Sequence, residues 1–439
     1  MSVARRLALG FVLAAATRAA LAQSEAWQGH WAGQARLGKA TQPLALDLAI
    51  APGEIRGTLD LAERGVLGMP LRDVHLVGDV LRFGIGSARQ GIEAQANLRE
   101  GGASGTWTET GNEVKFELER KSPERPYREV EIQFPNSEVR LAGTLFAPPS
   151  SSPRPAAVIM HGSGDNERWH YRFLADLLAR RGVAALAFDK RGNGGSTGNW
   201  REVGFEELAR DGIAAVETLQ SRPEIDPHRV GMIGVSQAGW IMPMAADLSP
   251  KVAFLIVISG GPIKVEEEGY YSTRMDLRLK GVAEADIEKA VHYERLNNEV
   301  TRSGQGYEEL RAYYLQIREE PWFRHMGFAF PAGPKAKTRD WYRRVMDLDP
   351  VPIVRRLDIP VLWLFGEEDE SFQAVECAEL VQAIKDERGK DFTIHRFPGA
   401  DHGLRLPGPA PLWRPFAPGY LEAIEVWLEG KVLKSRERP

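Results

Sequence analysis

The sequence predicts an α/β protein in two parts, a small antiparallel β domain followed by a larger domain built on a mostly parallel sheet. Apolar residues alternate with polar ones over residues 26–122, which is typical of strands with one buried face. After residue 128, short apolar runs alternate with segments of helical spacing, which predicts parallel strands covered by helices. The alternation stops over residues 262–350, where aromatic residues are dense. We predict a helical cap inserted there, over the C-terminal edge of the sheet.

Composition leaves the function to be decided by motifs. The 439 residues carry a formal charge of −4, which gives no electrostatic reason to expect a nucleic-acid partner. Hydrophobic content of 43% and charged content of 26% are ordinary for a globular protein. Cys377 is the only cysteine, so an intrachain disulfide is excluded.

The first residues predict a signal peptide over residues 1–22. Arg5 and Arg6 precede an apolar run over residues 7–16, and Ala20-Leu21-Ala22 has the form of a cleavage site. Cleavage after Ala22 would give a periplasmic or secreted protein. The run is too short to span a bilayer, so we expect no stable membrane insertion. The alternative is a short buried N-terminal helix.

Residues 23–122 predict a small antiparallel barrel or sandwich. Leu44, Leu46 and Leu48 alternate with polar or small residues, and turn signals separate the short strands. No convergent set of catalytic residue types occurs in this region, so we interpret it as an accessory domain. A ligand-binding barrel is the alternative. A linker precedes the α/β core, which we place at residues 128–261 and 351–439.

One short stretch has the pattern of a nucleophile at a strand-to-helix turn. An apolar run ends at Gly234, Ser236 follows two residues later, and Ala238 and Gly239 come next. Small residues on both sides of a serine allow a sharp turn that lifts its hydroxyl clear of the sheet. Glycine is more usual where this chain has Ala238, although alanine still fits. An ordinary Gly/Ser turn after a strand is the alternative.

A serine hydroxyl becomes a strong nucleophile when an imidazole takes its proton and a carboxylate orients that imidazole. His402 follows the predicted strand at residues 392–397, and we assign it as the base. Asp369 follows the predicted strand at residues 361–365, and we choose it as the acid. Four other acidic residues are the alternatives, with Asp401 the least suitable because it is adjacent to the histidine: Glu367, Glu368, Glu370 and Asp401.

The oxyanion that forms during acyl transfer needs backbone N–H donors. Gln237 supplies one at the start of the predicted helix, where the helix dipole also favours negative charge. The second is expected in the loop after the strand at residues 156–160. We choose the Ser163 amide there, with Gly162 as the alternative.

From residue 129 onward the sequence resembles the α/β-hydrolases, particularly bacterial exported esterases and the acylaminoacyl-peptidase and dienelactone-hydrolase branches. Five motifs carry the resemblance in the order of that family: residues 161–164, 189–196, 234–239, 366–369 and 401–403. The resemblance implies an eight-stranded, mostly parallel sheet with a helical cap. It also implies Ser236 as nucleophile, His402 as general base and then acid, and Asp369 as its partner. The glycine-rich segment at 189–196 is a structural turn in the family.

These observations predict a serine hydrolase that cleaves carboxylic esters through an acyl-enzyme intermediate. A peptidase or amidase, or a thioesterase, could use the same residues, although the N-terminal region is too short for a propeller. A non-catalytic binding protein with an inert hydrolase domain is an alternative of another class. We expect a small ester or a short acyl or peptide substrate, no cofactor and no bound metal. The nine histidines include no H-E-x-x-H or similar spacing for a metal-dependent hydrolase.

Overall fold

The computed structural model describes residues 25–51, 54–86, 91–326 and 330–434. The predicted signal peptide, residues 1–22, lies outside these residues. The chain divides into two units. The first extends to Arg125 and includes Gly408–Pro415, and the second comprises Pro126–Pro407 and the residues from Phe416 onward.

The first unit is an antiparallel sheet, as its alternating sequence predicts. Its strands within the described residues are β1 (Gly29–Leu37), β2 (Ala40–Ala51), β3 (Glu54–Leu61), β4 (Val66–Pro70), β5 (Arg72–Val77), β6 (Val80–Ile85), β7 (Ile92–Arg99), β8 (Gly102–Glu109) and β9 (Asn112–Arg120). They are ordered β4-β3-β2-β1-β9-β8-β7-β6-β5. The end strands β4 and β5 follow one another in the chain, and the Leu71 amide between them donates to Gly57 O on β3. The sheet is therefore a nearly closed barrel.

Large apolar side chains fill the inner face of this barrel. Leu44, Leu46 and Leu48 are buried on β2, and Phe116 and Leu118 are buried on β9. The intervening residues are half-buried or exposed, which is the alternation that a one-sided sheet requires.

The segment Gly408–Pro415 corrects one predicted boundary, because we assigned all of residues 351–439 to the α/β core. It belongs instead to the barrel unit. The buried carboxylate of Glu109 accepts a hydrogen bond from the Leu412 amide at 2.7 Å. The buried Gln42 amide donates to Leu412 O at 3.2 Å. These two bonds give partners to the Glu109 carboxylate and to the Gln42 N–H group, which offsets the cost of burying them.

The second unit contains the predicted eight-stranded sheet. Its strands are β10 (Arg128–Asn136), β11 (Val139–Ala147), β12 (Arg154–Met160), β13 (Ala184–Phe188), β14 (Ile225–Val235), β15 (Leu255–Ile258), β16 (Val361–Gly366) and β17 (Phe392–Phe397). The order is β10-β11-β13-β12-β14-β15-β16-β17. Strands β10, β11 and β13 pair antiparallel, and every other pairing is parallel. The inner strands are apolar on both sides because helices cover both faces.

Five helices pack on the two faces of this sheet within the described residues. They are α1 (Arg172–Arg180), α2 (Phe205–Gln220), α3 (Ala238–Leu248), α9 (Ala374–Arg388) and α10 (Tyr420–Leu428). Helices α2, α3 and α9 share one hydrophobic core with alternate strand residues such as Val158. Helices α1 and α10 share a second core with the neighbouring residues, such as Ile159.

Helices occupy the predicted insertion between β15 and β16. They are α4 (Val265–Leu279), α5 (Glu284–Ser303), α6 (Tyr307–Ile317) and α7 (Asp340–Val345), and the short α8 (Val351–Arg356) leads back to the sheet. Leu277, Ile287, Leu310 and Phe323 form a small core of their own. The described helices include none that is both long and apolar enough to cross a bilayer.

Candidate active site

Ser236 lies in a strained turn between β14 and α3. Its φ is +59°, a left-handed conformation that residues other than glycine seldom adopt. The turn is held by hydrogen bonds from the Ser236 amide to Ile258 O at 2.9 Å and from the Gly239 amide to Ser236 O at 2.7 Å. Because such strain is usually found at functional sites, this geometry favours a nucleophile elbow over an ordinary turn.

Close backbone contacts explain the small residues around the serine. A Cβ added to Gly234 would lie 2.5 Å from Ala238 Cβ and 2.9 Å from Met160 O. A Cβ added to Gly239 would lie 2.8 Å from Gly260 Cα. Alanine is tolerated at 238 because Gly234 leaves the room for its methyl group.

Asp369 and His402 are in direct contact. Asp369 Oδ2 lies 2.7 Å from His402 Nδ1, and the aspartate side chain is fully buried. The other carboxylate oxygen accepts hydrogen bonds from the amides of Ser371 at 2.8 Å and Phe372 at 3.1 Å. Since an ionised carboxylate can only accept, Nδ1 carries the proton and His402 Nε2 is left as a base.

The surroundings of His402 favour its charged form. Burial alone would lower the pKa of this imidazole, but the hydrogen bond and charge of Asp369 outweigh it. The carboxylates of Glu370 and Glu268 add to that effect, and the pKa is raised above its ordinary value. An imidazole with this bias accepts a proton readily, as a general base must.

The alternative acids make other contacts. Glu367 pairs with an arginine of β17 at 2.8 Å. Glu370 accepts a hydrogen bond from the His402 amide at 3.4 Å, not from the imidazole. Asp401 Oδ1 accepts hydrogen bonds from two amides of its own loop. Glu368 bonds to the loop after β17 through its backbone amide. Asp369 is therefore the carboxylate placed to orient the imidazole.

The serine lies at the same edge of the sheet as the Asp369–His402 pair. Gly260 packs against Ser236 O, and the next residue, Gly261, packs against the Phe372 side chain. The Phe372 ring lies 6.1 Å from the His402 ring. Within the described residues the Ser236 hydroxyl and His402 Nε2 make no hydrogen bond.

The backbone amides of the two predicted oxyanion donors and of the alternative donor, Gly162, differ in whether they already donate a hydrogen bond. The amides of Gln237 and Ser163 have no hydrogen-bond partner within the part of the chain that the structure describes. The Gly162 amide donates to the Tyr171 hydroxyl at 2.7 Å and is therefore occupied. Ser163 and Gln237 are the pair available to stabilise an oxyanion.

Comparison with known proteins agrees with this architecture. The model of the alpha/beta hydrolase family matches residues 157–415. The chain belongs to the alpha/beta hydrolase family. The matched region contains Ser236, Asp369 and His402.

The relatives of this hydrolase include esterases and a thiohydrolase. Esterase EstD of Thermotoga maritima is 24% identical over 299 residues, 66% of this chain and 64% of the relative. Thiohydrolase aneE of Aspergillus aculeatus is 30% identical over 142 residues, 32% of this chain and 44% of the relative. An esterase of Pyrococcus furiosus has a similar structure, with a TM-score of 0.45 and 14% identity over 70% of this chain and 92% of that one. The chain covers less than two thirds of the length of these curated relatives.

The cap helices contribute groups that the sequence did not single out. Tyr271 on α4 donates its hydroxyl to Asp369 O at 3.0 Å. Glu268 lies one turn earlier on α4 and is half-buried. Burial raises the pKa of Glu268 to about 7, and His402 opposes that rise. The spacing of Glu268 and Tyr271 places them on one face of α4, which the sequence could have indicated. Only the fold shows that this face meets the loop that carries Asp369.

The loop after β12 carries Gly162, Ser163 and Gly164, and we call it the oxyanion loop. Polar side chains that the sequence analysis did not single out lie behind it. Asn166 and Tyr171 bond to the loop, and Lys190 lies almost fully buried against it. Burial lowers the pKa of Lys190 to about 7, and the charge of Asp165 opposes that shift. Its Nζ lies within hydrogen-bond distance of three oxygen acceptors. No group of three metal-ligating side chains is arranged to hold a metal ion in the described residues.

Proposed function

We propose that this hydrolase cleaves carboxylic esters through an acyl-enzyme intermediate. Ser236 is the nucleophile, His402 the general base and acid, and Asp369 the group that orients the imidazole. The observation that carries the proposal is the 2.7 Å contact between Asp369 Oδ2 and His402 Nδ1. It occurs at the sheet edge where Ser236 has its left-handed conformation.

In the first half of the reaction, Ser236 Oγ attacks the carbonyl carbon while His402 Nε2 takes its proton. The carbonyl electron pair moves onto oxygen, and the amides of Gln237 and Ser163 donate to that oxyanion. The buried Asp369 carboxylate stabilises the imidazolium. As the carbonyl re-forms, the alcohol leaves with the proton from His402.

In the second half, His402 Nε2 takes a proton from water as the water oxygen attacks the acyl carbon. The second oxyanion uses the same two amides. Collapse breaks the bond to Ser236 Oγ, which regains its proton from His402. A carboxylic acid is released and the enzyme returns to its starting state.

Thioester hydrolysis is the second candidate, because the aneE relative is described as a thiohydrolase. The same groups would serve, since a thiolate leaves from the tetrahedral intermediate at least as readily as an alkoxide. Amide or peptide cleavage is the third, and it requires His402 to protonate a poorer leaving group. The three reactions therefore differ in the leaving group that the pocket must accept and in how far His402 must protonate that group.

The test compares wild type with Ser236→Ala on p-nitrophenyl esters of two, four and eight acyl carbons. An acyl-coenzyme A thioester and an aminoacyl p-nitroanilide are assayed alongside. We expect Ser236→Ala to lower ester turnover by at least about 10³-fold. Ser259→Ala is a matched control, because Ser259 also follows a strand with φ of +49° and its buried hydroxyl has no hydrogen-bond partner among the described residues. Ester turnover that survives Ser236→Ala would refute the proposal.

We also propose that the protein is exported and that its signal peptide is removed after Ala22. The support is the basic, then apolar, then small-residue order of residues 1–22. Amino-terminal sequencing of the full-length product expressed in a bacterium should begin at Gln23. A product that keeps Met1 in the cytoplasmic fraction would contradict this.

A further inference from the structure

Lys190 is a buried lysine whose Nζ is bonded to both of the loops that carry the predicted oxyanion donors. Lys190 comes two residues after the end of β13, and it is 1% exposed. The ammonium Nζ donates to Gly162 O at 2.9 Å, to Gly164 O at 3.1 Å and to Gln237 Oε1 at 2.9 Å. An ammonium has three N–H donors, so this arrangement uses all of them.

The bond to Gly162 O orients the first oxyanion donor. Gly162 C=O and Ser163 N–H belong to one planar trans peptide, in which they point in opposite directions. A bond that holds the carbonyl toward Lys190 therefore directs the Ser163 amide away from it. Asn166 Nδ2 reinforces this orientation, since it donates to Gly162 O at 3.2 Å and to Ser163 O at 2.9 Å. Gly162 itself lies beside the nucleophile, and a Cβ added there would be 3.8 Å from Ser236 Cβ.

The bond to Gln237 holds the second donor. The Gln237 side chain is buried, and its Oε1 accepts from Lys190. Fixing this side chain restricts the backbone of the residue whose amide is the other donor. The backbone amides of Ser163 and Gln237 come from different loops. Lys190 Nζ restricts both of them, through its bonds to Gly162 O and to the Gln237 side chain.

The surroundings keep the lysine in place. The Lys190 ammonium lies 4.5 Å from the centre of the Trp200 ring, within the range of a cation–π contact. The Trp200 indole N–H in turn donates to Asp165 at 2.8 Å, and Arg201 pairs with the same carboxylate at 2.9 Å. Among the described residues, this network has no hydrogen bond or ion pair with Ser236.

We propose that Lys190 is a positioning residue that holds the Ser163 and Gln237 amides in the geometry needed by the oxyanion. This inference rests on the proposed function, because it assigns Lys190 a part in the same site. Oxyanion donors act when charge develops on the carbonyl oxygen, so their displacement lowers kcat and leaves KM nearly unchanged. A lysine that only stabilised the turn would change the melting temperature without this selective loss.

The experiment uses the full chain and a p-nitrophenyl ester, with Lys190→Met, Gln237→Met, the double variant and Ser236→Ala. Methionine matches the length of glutamine, is one atom shorter than lysine, and removes the polar end of each side chain. Lys251→Met is the matched control, because Lys251 is an exposed lysine paired with Glu217. We expect Lys190→Met to lower kcat roughly 10–100-fold with KM changed by less than about threefold. We expect Gln237→Met to lower kcat roughly 3–10-fold, and the double variant to lose less than the product of the two effects.

The outcomes separate this inference from the proposed function. Turnover that persists in Ser236→Ala overturns both. Serine-dependent turnover with wild-type kcat in folded Lys190→Met overturns the role of Lys190 alone, as does a loss that appears only in KM. If Lys190→Met does not fold, Gln237→Met decides, because it deletes one acceptor and leaves the lysine in place. An unchanged kcat in that variant contradicts the inference.

Discussion

Asp369 Oδ2 lies 2.7 Å from His402 Nδ1, while Asp369 Oδ1 accepts hydrogen bonds from two backbone amides. The amides belong to Ser371 and Phe372, in the same loop as the aspartate. The carboxylate is therefore fixed by its own loop, independently of the imidazole. The position of His402 follows from the end of β16 as much as from the loop that carries the histidine.

Replacing Asp369 with asparagine should abolish most of the activity while leaving the fold intact. An amide at this position can present N–H to His402 Nδ1, which favours the tautomer with its proton on Nε2. That tautomer cannot accept the Ser236 proton. We expect kcat for ester hydrolysis to fall about 10³–10⁴-fold. Asp401→Asn is the control, since an asparagine oxygen can still accept the two loop amides, and a similar loss there would contradict our choice of acid.

Replacing Glu268 with glutamine should move the acidic limb of the pH–rate profile to lower pH. While it is ionised, the Glu268 carboxylate raises the pKa of His402, so its removal lowers that pKa. We expect a small shift, because Glu268 has a pKa of about 7 itself and is ionised over only part of the limb. Because the neutral imidazole is the active base, activity then persists to lower pH. The measurement is kcat/KM between pH 5 and pH 8, with Glu267→Gln as control because Glu267 is an exposed neighbour on the same helix. A limb that stays fixed, or moves to higher pH, would show that Glu268 does not act on His402.

The sequence predicted the sheet and the order of its parts well, because each signal was local. The buried runs of β12 and β16 and the helical spacing of α1 and α2 are visible in short windows. The assignment of Gly408–Pro415 was wrong because it depends on contacts with residues some 300 positions away. Nothing in the local pattern of Leu412 indicates that its amide meets Glu109.

The site shows the same division between local and distant information. Ser236, Asp369 and His402 each follow a recognisable strand, so their approach to one sheet edge could be predicted. The choice between Ser163 and Gly162 could not, because it depends on the Tyr171 hydroxyl that occupies the Gly162 amide. Lys190 was interpreted as part of a structural turn, and its bonds to two other loops become visible only in three dimensions.

Adding a methyl group at Gly234 should destabilise the protein. The new Cβ would lie 2.5 Å from Ala238 Cβ and 2.9 Å from Met160 O, and the backbone oxygen cannot move aside cheaply. We expect Gly234→Ala to lower the free energy of unfolding by about 1–3 kcal/mol, measured by urea denaturation. Gly333→Ala is the control, because a Cβ there meets no atom of the described residues within 4 Å. Adding Ala238→Gly should recover part of the loss, and equal stability of Gly234→Ala and wild type would refute the steric argument.

Removing the Tyr171 hydroxyl should weaken the oxyanion loop. That hydroxyl accepts from the Gly162 amide at 2.7 Å and donates to Asn166 Oδ1 at 2.9 Å. Tyr171→Phe therefore leaves the half-buried Gly162 amide and the buried Asn166 Oδ1 without these partners. Burial raises the pKa of the Tyr171 hydroxyl, which keeps it protonated and able to donate. We expect a loss of roughly 1–3 kcal/mol in the free energy of unfolding.

Tyr420→Phe gives the matched comparison for that loss. Tyr420 is also buried, but its hydroxyl makes no hydrogen bond within the described residues. Its removal should therefore change stability by less than about 0.5 kcal/mol, because no donor or acceptor is abandoned. Equal losses in the two variants would mean that packing of the phenol oxygen, and not its bonds to Gly162 and Asn166, accounts for the effect at Tyr171.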